Sequence, residues 1–444
     1  MAATDSKQDG HLLRVLGFWF GVAVALGAVI GGGILRGPGE IAAMLPSPWL
    51  MLGLWIAGGL HASLSANNVC ELAAAMPRAG GFYVYARRAF GDGGGILVGW
   101  SDWINITASI ASLSIVFAEF LALLAPQSAA YKMPIALGML SALAALNWIG
   151  VREGGRFQTV SSALKAAFLL GFCVIVFVAA PHAAPSLQAS AAPLTMAGLI
   201  GAYSIIVGAY GGWEAPAAFA EENPAPGKSV PRALLAGVGI SIALYVLVNL
   251  ALILALPNLT HSTFAVADAL LVAMGRNGYV IAVGAGLLTV VSCLNSQLMQ
   301  APRVLFGLAR DGLFPKLALH INQGGTPSAS LLVTALIAAA LAATGSFDFT
   351  FGLLAVMVIL SNIMTDGALF LLRRRAPEME RPFRAIGYPL LPALVLCLDL
   401  VLFVLFLMNE PKSGAIAVGL IALSLAAAWI LHQRRASGAG AGGV

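Results

Sequence analysis

The sequence predicts an all-α polytopic membrane protein with 12 transmembrane helices, arranged as a 5+5 inverted repeat plus two C-terminal helices. Three observations predict it: the composition, twelve separate apolar runs, and matched glycine groups in the first and sixth runs. Of the 444 residues, 59% are hydrophobic and only 10% are charged, with a mean hydropathy of +0.90. Soluble domains carry about 25% charged residues. The composition therefore excludes a soluble globular, disordered or disulfide-built secreted protein.

The apolar runs give the number of spans, because about 20 apolar residues cross a bilayer as a helix. Residues 1–14 precede the first span as a cytoplasmic segment, spans one to five fill 15–180, and spans six to ten fill 194–372. Spans eleven and twelve lie within 383–432, and 433–444 form a flexible cytoplasmic tail. The runs are Val15–Leu35, Trp49–Ala73, Gly95–Leu124, Met133–Gly150, Val160–Ala180, Leu194–Ala220, Ala233–Leu256, Gly278–Leu308, Ser328–Ala343, Phe349–Leu372, Tyr388–Met408 and Gly414–Leu431.

The placement of basic residues predicts the orientation, because Lys and Arg collect in cytoplasmic loops. Nineteen of the 24 Lys and Arg residues fall on one side of the predicted spans when the N-terminus is cytoplasmic. Four fall on the other side, and Lys165 lies within the fifth span. We therefore expect a multi-pass protein of the cytoplasmic membrane with both termini cytoplasmic. The net charge of +5 follows this topology and forms no basic stripe, so no nucleic-acid partner is expected.

The glycine groups mark two predicted helix breaks. Span one contains Gly27-Ala28-Val29-Ile30-Gly31-Gly32-Gly33, and span six contains Gly208-Ala209-Tyr210-Gly211-Gly212. Glycine-interrupted segments at corresponding positions of two halves indicate an inverted-repeat transporter with a midplane site. A broken helix offers free N–H groups to a carboxylate and free carbonyls to an ammonium group, so a zwitterionic amino acid matches both ends. The alternative is close helix packing through small residues.

Several motifs resemble those of the amino acid-polyamine-organocation (APC) superfamily, in the right order over about residues 15 to 375. They are Gly31 to Leu35, Pro77-Arg78-Ala79-Gly80-Gly81-Phe82-Tyr83, Gly99-Trp100, Tyr210 to Glu214, Glu221-Glu222-Asn223-Pro224, Pro231-Arg232-Ala233, Arg303, Ala309 to Pro315, and Thr326-Pro327. The resemblance implies the LeuT/APC-like fold and secondary active transport of amino acids or related amines by alternating access.

The resemblance also implies a substrate site at the two breaks. It places the substrate carboxylate at the amides of Gly31, Gly32 and Gly33. It places the amino group at the carbonyls of Val29, Ile30, Gly208, Ala209 and Gly211, with Tyr210, Trp213 and the Thr107 to Ala111 region shaping the side-chain pocket. Relatives selective for arginine or lysine have an acid early in the third helix. Asn105 aligns with that acid, which favours neutral L-amino acids.

Lys165 is the candidate ion-coupling residue, because an intramembrane charge is costly and is usually functional. The resemblance supports this role, since several proton-coupled relatives have a lysine in the fifth helix. Thr289 and Ser292 of span eight are expected nearby. One alternative is that Lys165 snorkels to the inner interface, and another is that it is a simple structural cation.

Glu214 and Arg303 are candidate gating residues. Glu214 directly follows the second break, where it either forms part of a gate or supports the unwound turn. Arg303 is expected in a cytoplasmic network with Arg310 and Asp311. Simple positive-inside anchoring is the alternative for these basic residues.

No enzyme chemistry, metal or cofactor is expected. The six histidines are dispersed, and neither HExxH nor a P-loop is present. The expected partners are therefore an amino acid or amine, protons and the lipid bilayer, with energy from an ion gradient or exchange. The rival interpretations are an amine or polyamine permease or exchanger of the same fold, and a non-transporting amino-acid sensor.

Overall fold

A computed structural model describes residues 12–179, 193–256, 258–260, 262–343, 347–409, 412, 414–416, 418–419, 421–423 and 426, with backbone only at 347–355 and 409. Its helices are α1 Phe18–Val29, α2 Gly32–Met44, α3 Pro48–Ala75, α4 Phe82–Leu124, α5 Lys132–Ile149, α6 Val151–Ala179, α7 Met196–Tyr210, α8 Ala215–Ala218, α9 Pro226–Ala255, α10 Ala265–Arg310, α11 Ser328–Ala343, α12 Phe347–Arg375 and α13 Leu390–Asn409.

The helices agree with the predicted apolar runs. Within the described residues, nine helical stretches are long and apolar enough to cross a membrane. Three shorter apolar helices, Met196–Tyr210, Ser328–Ala343 and Gly414–Leu423, fall on the predicted sixth, ninth and twelfth spans. The chain is therefore a multi-pass helical membrane protein. The full count of 12 and the inverted repeat stay predictions, because the end of the twelfth span, the tail 433–444 and most of 1–14 lie outside the described residues.

The first and sixth spans are broken helices. The break between α1 and α2 lies at Ile30 and Gly31, both in extended conformation, and the break after α7 lies at Gly211 and Gly212. Gly212 has a φ of +104°, a conformation that glycine adopts without a Cβ clash. Both interruptions lie inside the glycine groups that the sequence singles out.

Two further glycines bend helices five spans apart, in α4 and α10. Gly91 has φ +79° and Gly275 has φ +66°, and each separates a short leading helix from a long span. The sequence analysis did not predict these bends. Their matching positions support the proposed repeat.

Helix packing brings the broken spans to the centre of the bundle. α1 packs on α6 and α9, α2 packs on α7, and α10 packs on α4 and α6. Because glycine has no side chain, helices approach closely at Gly27, where a Cβ would overlap Gln158 of α6, and at Gly237, where it would lie 2.6 Å from Ala25. These contacts fix α1 between α6 and α9.

Two positions differ from the sequence analysis. The fifth span begins at Val151 and not near Val160, so Lys165 lies at the middle of a 29-residue helix and is fully buried. Snorkelling to the inner interface is therefore wrong. Arg36 is one of the four basic residues on the predicted external side, but it lies within α2, because the broken first span continues to Met44.

Candidate functional site

The two helix breaks lie against each other. A Cβ on Gly33 would lie 2.6 Å from the Ala209 Cβ, and a Cβ on Gly212 would lie 2.7 Å from the Ala28 Cβ. The start of α2 therefore touches the end of α7, and the turn after α7 touches the end of α1. The predicted juxtaposition of the two glycine groups is present in the structure.

The amide end of the first break is open. Gly31 is the N-cap of α2 and supplies no side-chain cap. The first N–H groups of a helix have no partner within the helix, and they attract anions. A Cβ on Gly32 or on Gly208 would meet no atom within 4 Å, so there is free space on both sides of the breaks.

The carbonyl end of the first break is occupied by side chains of three other helices. The last four carbonyl groups of a helix lack partners within it, and here each has a partner from α6, α9 or α10. These are Lys165 Nζ to Gly27 O (2.8 Å) and Ile30 O (2.7 Å), Cys293 Sγ to Ala28 O (3.3 Å), and Tyr245 OH to Val29 O (2.7 Å).

Tyr245 connects the two breaks. Its hydroxyl oxygen lies 2.7 Å from Val29 O and 3.1 Å from Ala209 O, so its single proton serves one carbonyl at a time. The carbonyls of Val29, Ile30 and Ala209, expected to receive a substrate amino group, thus already contact protein donors. A carbonyl oxygen has two lone pairs, so a substrate could share these oxygens.

Tyr210 and Trp213 have different surroundings. Tyr210 is buried, and its hydroxyl donates to the Trp55 carbonyl at 3.0 Å, within an aromatic group with Tyr245. Trp213 packs on Phe82 and lines a small cavity next to the second break.

This cavity also has polar walls. Asn105 and Glu214 line it together with Asp102, Gln300 and Ser361. The Asn105 Oδ1 atom has no hydrogen-bond partner among the described residues. Thr107, which the resemblance placed near the pocket, instead donates to the Trp103 carbonyl of its own helix at 2.7 Å.

Glu214 holds the unwound turn. Its Oε2 atom accepts the Gly212 N–H at 2.9 Å. This contact is the supporting role that the sequence left open beside gating. Because Glu214 also lines the cavity, the two roles are compatible.

Lys165 has carbonyl partners and no acidic one. In the described part of the chain, no carboxylate lies within 4.0 Å of its Nζ. Two acceptors match the two N–H donors of a neutral amine, whereas an ammonium has a third donor. Lys165 thus ties α6 to the end of α1.

Of the two residues expected near Lys165, only Ser292 belongs to a polar network with α6. The Ser161 hydroxyl donates to Ser292 at 3.0 Å, and Gln158 donates to Ser292 at 3.3 Å. Thr289 instead donates to Ala285 of its own helix at 2.8 Å.

Arg303 forms a buried ion pair. Its guanidinium donates two hydrogen bonds to the Glu222 carboxylate, at 2.5 and 2.9 Å, and lies 4.5 Å from the centre of the Phe219 ring. Glu221, the neighbouring residue, pairs with Arg310. These pairs join the end of α10 to the turn after α8, whereas Asp311 pairs with Arg87 and Arg78.

Tyr245 and Cys293 are partners of the break that the sequence did not predict. A tyrosine hydroxyl within the largely apolar α9, the seventh predicted span, is a signal of an intramembrane polar contact. The cysteine offers no comparable signal, because buried thiols usually pack as small hydrophobes.

Comparisons with known proteins identify the family. The family model described as "Amino acid permease" matches residues 16–430. The serine/threonine exchanger SteT of Bacillus subtilis (strain 168) is 26% identical over 442 residues, covering 97% of this chain and 99% of that protein. The branched-chain amino acid permease BcaP of the same organism is 26% identical, covering 90% of each chain.

A third relative, the methylthioribose transporter of Bacillus subtilis (strain 168), is 26% identical and covers 87% of each chain. These relatives are transporters and not enzymes. The match over nearly the whole chain, together with its long apolar helices, confirms the resemblance seen in the motifs. The chain belongs to the amino acid permease family of the APC superfamily.

Proposed function

We propose that this protein is a secondary active transporter of neutral L-amino acids in the cytoplasmic membrane. The observation that carries the proposal is the pair of apposed helix breaks, with an uncapped start of α2 at which Gly32 borders free space. Unpaired backbone groups are tolerated at membrane depth only where they line a cavity or meet a ligand. A substrate carboxylate at the Gly31, Gly32 and Gly33 amides supplies that ligand.

The substrate amino group binds at the carbonyl side of the breaks. Val29, Ile30 and Ala209 already contact Tyr245 or Lys165, so the ammonium shares these oxygens or replaces a protein donor. The carbonyls of Gly208 and Gly211 complete the proposed set. Replacement of a protein donor links substrate binding to movement of Lys165 or Tyr245.

The neutral substrate class rests on the first break and on Asn105. Asn105 lines the cavity with an unpartnered carbonyl oxygen and carries no charge for a cationic side chain. Relatives named as a serine/threonine exchanger and a branched-chain amino acid permease fit a neutral substrate.

Lys165 is proposed to couple transport to protons. It is fully buried and holds the end of α1 through two carbonyl groups. Gaining or losing a proton changes the number of N–H donors, and therefore changes how α6 holds the break. Alternating access follows when α1 and α7 move relative to α6 and α10, with Arg303 and Glu214 acting at the cytoplasmic gate and both termini in the cytoplasm.

An amine substrate is the second candidate, because two acids line the cavity. The Asp102 carboxylate accepts from Ser361 at 2.5 Å, and Glu214 accepts from Gly212. An amine without a carboxylate would use these acids and leave the α2 amides free.

A counterflow panel in proteoliposomes tests the proposal. Vesicles are loaded with one compound of a panel that contains the twenty amino acids and common amines. The compounds of the panel are then offered outside these vesicles, at two pH values. We expect saturable counterflow of a narrow set of neutral amino acids. Counterflow of amines alone would support the second candidate. Binding without counterflow by folded protein would indicate a sensor and contradict transport.

A further inference from the structure

A second buried polar cluster lies away from the helix breaks, where α3, α7, α12 and α13 meet. We call its members His61, Asn68, Tyr203, Asp366 and Asp399 the carboxyl-pair cluster. The His61 Nε2 atom lies 2.7 Å from Asp399 Oδ1, and the Tyr203 hydroxyl lies 3.3 Å from His61 Nδ1. Asn68 Nδ2 donates to Asp366 Oδ1 at 2.9 Å, and the Asp366 carboxyl contacts that of Asp399.

The carboxyl-pair cluster is shielded from solvent. Asp399 and Asn68 have no exposed surface, Asp366 is 1% exposed, and His61 is 5% exposed. Asp399 lies near the middle of α13, and His61 lies near the middle of α3. Both positions are at the depth where an uncompensated charge is costly.

Two carboxyl oxygens in the cluster lack a donor. Asp366 Oδ2 and Asp399 Oδ2 are buried, and neither accepts a hydrogen bond from any residue that the structure describes. Two ionised carboxylates are acceptors only, and like charges in contact within a low-dielectric site disfavour double ionisation. If either carboxyl group carries a proton, its unpartnered oxygen becomes a donor to the unpartnered oxygen of the other carboxyl group. One proton therefore satisfies two buried atoms at once.

We propose that Asp366 and Asp399 form a proton-binding site that holds one proton shared between the two carboxyl groups. His61 contacts the other oxygen of Asp399, with its Nε2 atom 2.7 Å from Asp399 Oδ1.

Polar groups from α3 and α7 surround the pair. α7 contributes the neutral Tyr203, and α3 contributes His61 and Asn68. Arg373 and Arg381 are the nearby cations, and both form ion pairs with Glu71 of α3. Within the described residues, no lysine or arginine forms an ion pair with Asp366 or Asp399.

This site is distinct from Lys165 and from the proposed substrate site. It does not depend on the identity of the substrate or on transport. Tyr203 belongs to α7, which ends at the second break, so the site is joined through His61 to a helix that the transport cycle is proposed to move.

Infrared spectroscopy of the purified full-length protein in lipid nanodiscs tests the proposal. A protonated carboxyl group has a carbonyl stretch that an ionised carboxylate lacks. We expect the wild-type spectrum at neutral pH to contain a protonated-carboxyl component that the double variant D366N/D399N lacks, because both carboxyl groups that share the proton are then absent. Asp399→Asn should shift this band and keep it, because no lysine or arginine that the structure describes forms an ion pair with Asp366. Glu153→Gln, which changes an exposed acid, is the matched control and should leave the band unchanged.

A second measurement covers the case in which one variant folds poorly. Deprotonating the pair at alkaline pH places two like charges in contact, so the melting temperature of wild-type protein should fall at alkaline pH more than that of the double variant D366N/D399N. Circular dichroism verifies that the double variant is helical. Superimposable wild-type and double-variant spectra in the protonated-carboxyl region would overturn the proposal. Equal alkaline losses of melting temperature would also overturn it.

Discussion

Replacing Lys165 with methionine is the sharpest perturbation of the proposed coupling. Methionine keeps an unbranched side chain of similar length but cannot donate to the carbonyls of Gly27 and Ile30. Leaving one buried carbonyl unsatisfied costs about 1–3 kcal/mol. In the variant, a conformation that has both contacts in wild-type protein is therefore destabilised by about 2–6 kcal/mol.

That free energy gives the expected size of the effect. At about 1.4 kcal/mol for each factor of ten, the balance between conformations shifts by roughly 30-fold to more than 10,000-fold. We therefore expect Lys165→Met proteoliposomes to lose at least ~30-fold in uptake driven by a pH gradient. Residual exchange should no longer depend on pH, because the titrating group is absent.

The matched control is Ser162→Ala on the same helix. Ser162 donates to the Ala23 carbonyl at 2.7 Å, also across the contact between α6 and α1, but within the unbroken part of α1. This variant should lose some thermal stability and retain the pH dependence of uptake. Wild-type, pH-dependent uptake against a gradient by folded Lys165→Met would refute the coupling role.

Three further predictions concern the breaks and the Arg310 ion pair. Tyr245→Phe removes the contact with Val29 and Ala209 across the two breaks, so substrate affinity should fall by ~5- to 150-fold, about 1–3 kcal/mol, in equilibrium binding. Gly32→Ala should fold normally and lose substrate affinity, because its Cβ has space in the protein but projects into the proposed carboxylate site. Glu221→Gln should lower the melting temperature at neutral pH, with a difference that vanishes under acid conditions.

The sign of the Glu221 prediction follows from its pKa. Burial raises the pKa of Glu221, but the Ala79 N–H, the Arg310 guanidinium and the charge of Arg78 outweigh burial and hold it below the ordinary value of 4.5. A carboxyl with a depressed folded pKa stabilises the protein above its unfolded pKa, and this stabilisation is lost as the pH falls through the folded value. A constant difference between wild type and Glu221→Gln down to strongly acid pH would contradict this reasoning.

Two other positions provide controls for the break variants. Gly33→Ala should lower the melting temperature, because its Cβ would lie 2.6 Å from that of Ala209. Equal melting temperatures for Gly32→Ala and Gly33→Ala would contradict the described packing. Tyr279→Phe changes a tyrosine that stacks with Arg276 and should leave binding unchanged, whereas a loss equal to that of Tyr245→Phe would contradict the role of Tyr245.

The sequence predicted the spans and the positions of the breaks because both depend on local properties. Apolar length defines a span, and a glycine run such as Gly31 to Gly33 permits local unwinding. The start of α6 was misplaced because polar residues such as Arg152 and Gln158 lower the hydropathy there. The helix continues through them, and Gln158 faces the bundle, where it bonds to Asn295 of α10.

The partners of the break were beyond prediction because they come from distant parts of the chain. Tyr245 lies 216 positions after Val29, and no local pattern states that the two meet. Asp366 and Asp399 were separate acids in the sequence, and only the packing of α12 on α13 joins them. Local chemistry thus identifies candidate residues, whereas tertiary packing determines their pairing.

The central claim is that a substrate α-carboxylate binds at the uncapped start of α2. The most direct test compares equilibrium binding of the best counterflow substrate with binding of its α-amide, which keeps the amino group and side chain but removes the negative charge. If the carboxylate binds there, wild-type protein should bind the amino acid saturably and the amide much more weakly, and folded Gly32→Ala should discriminate much less between them. Equal affinity of wild-type protein for the amino acid and its amide would contradict it.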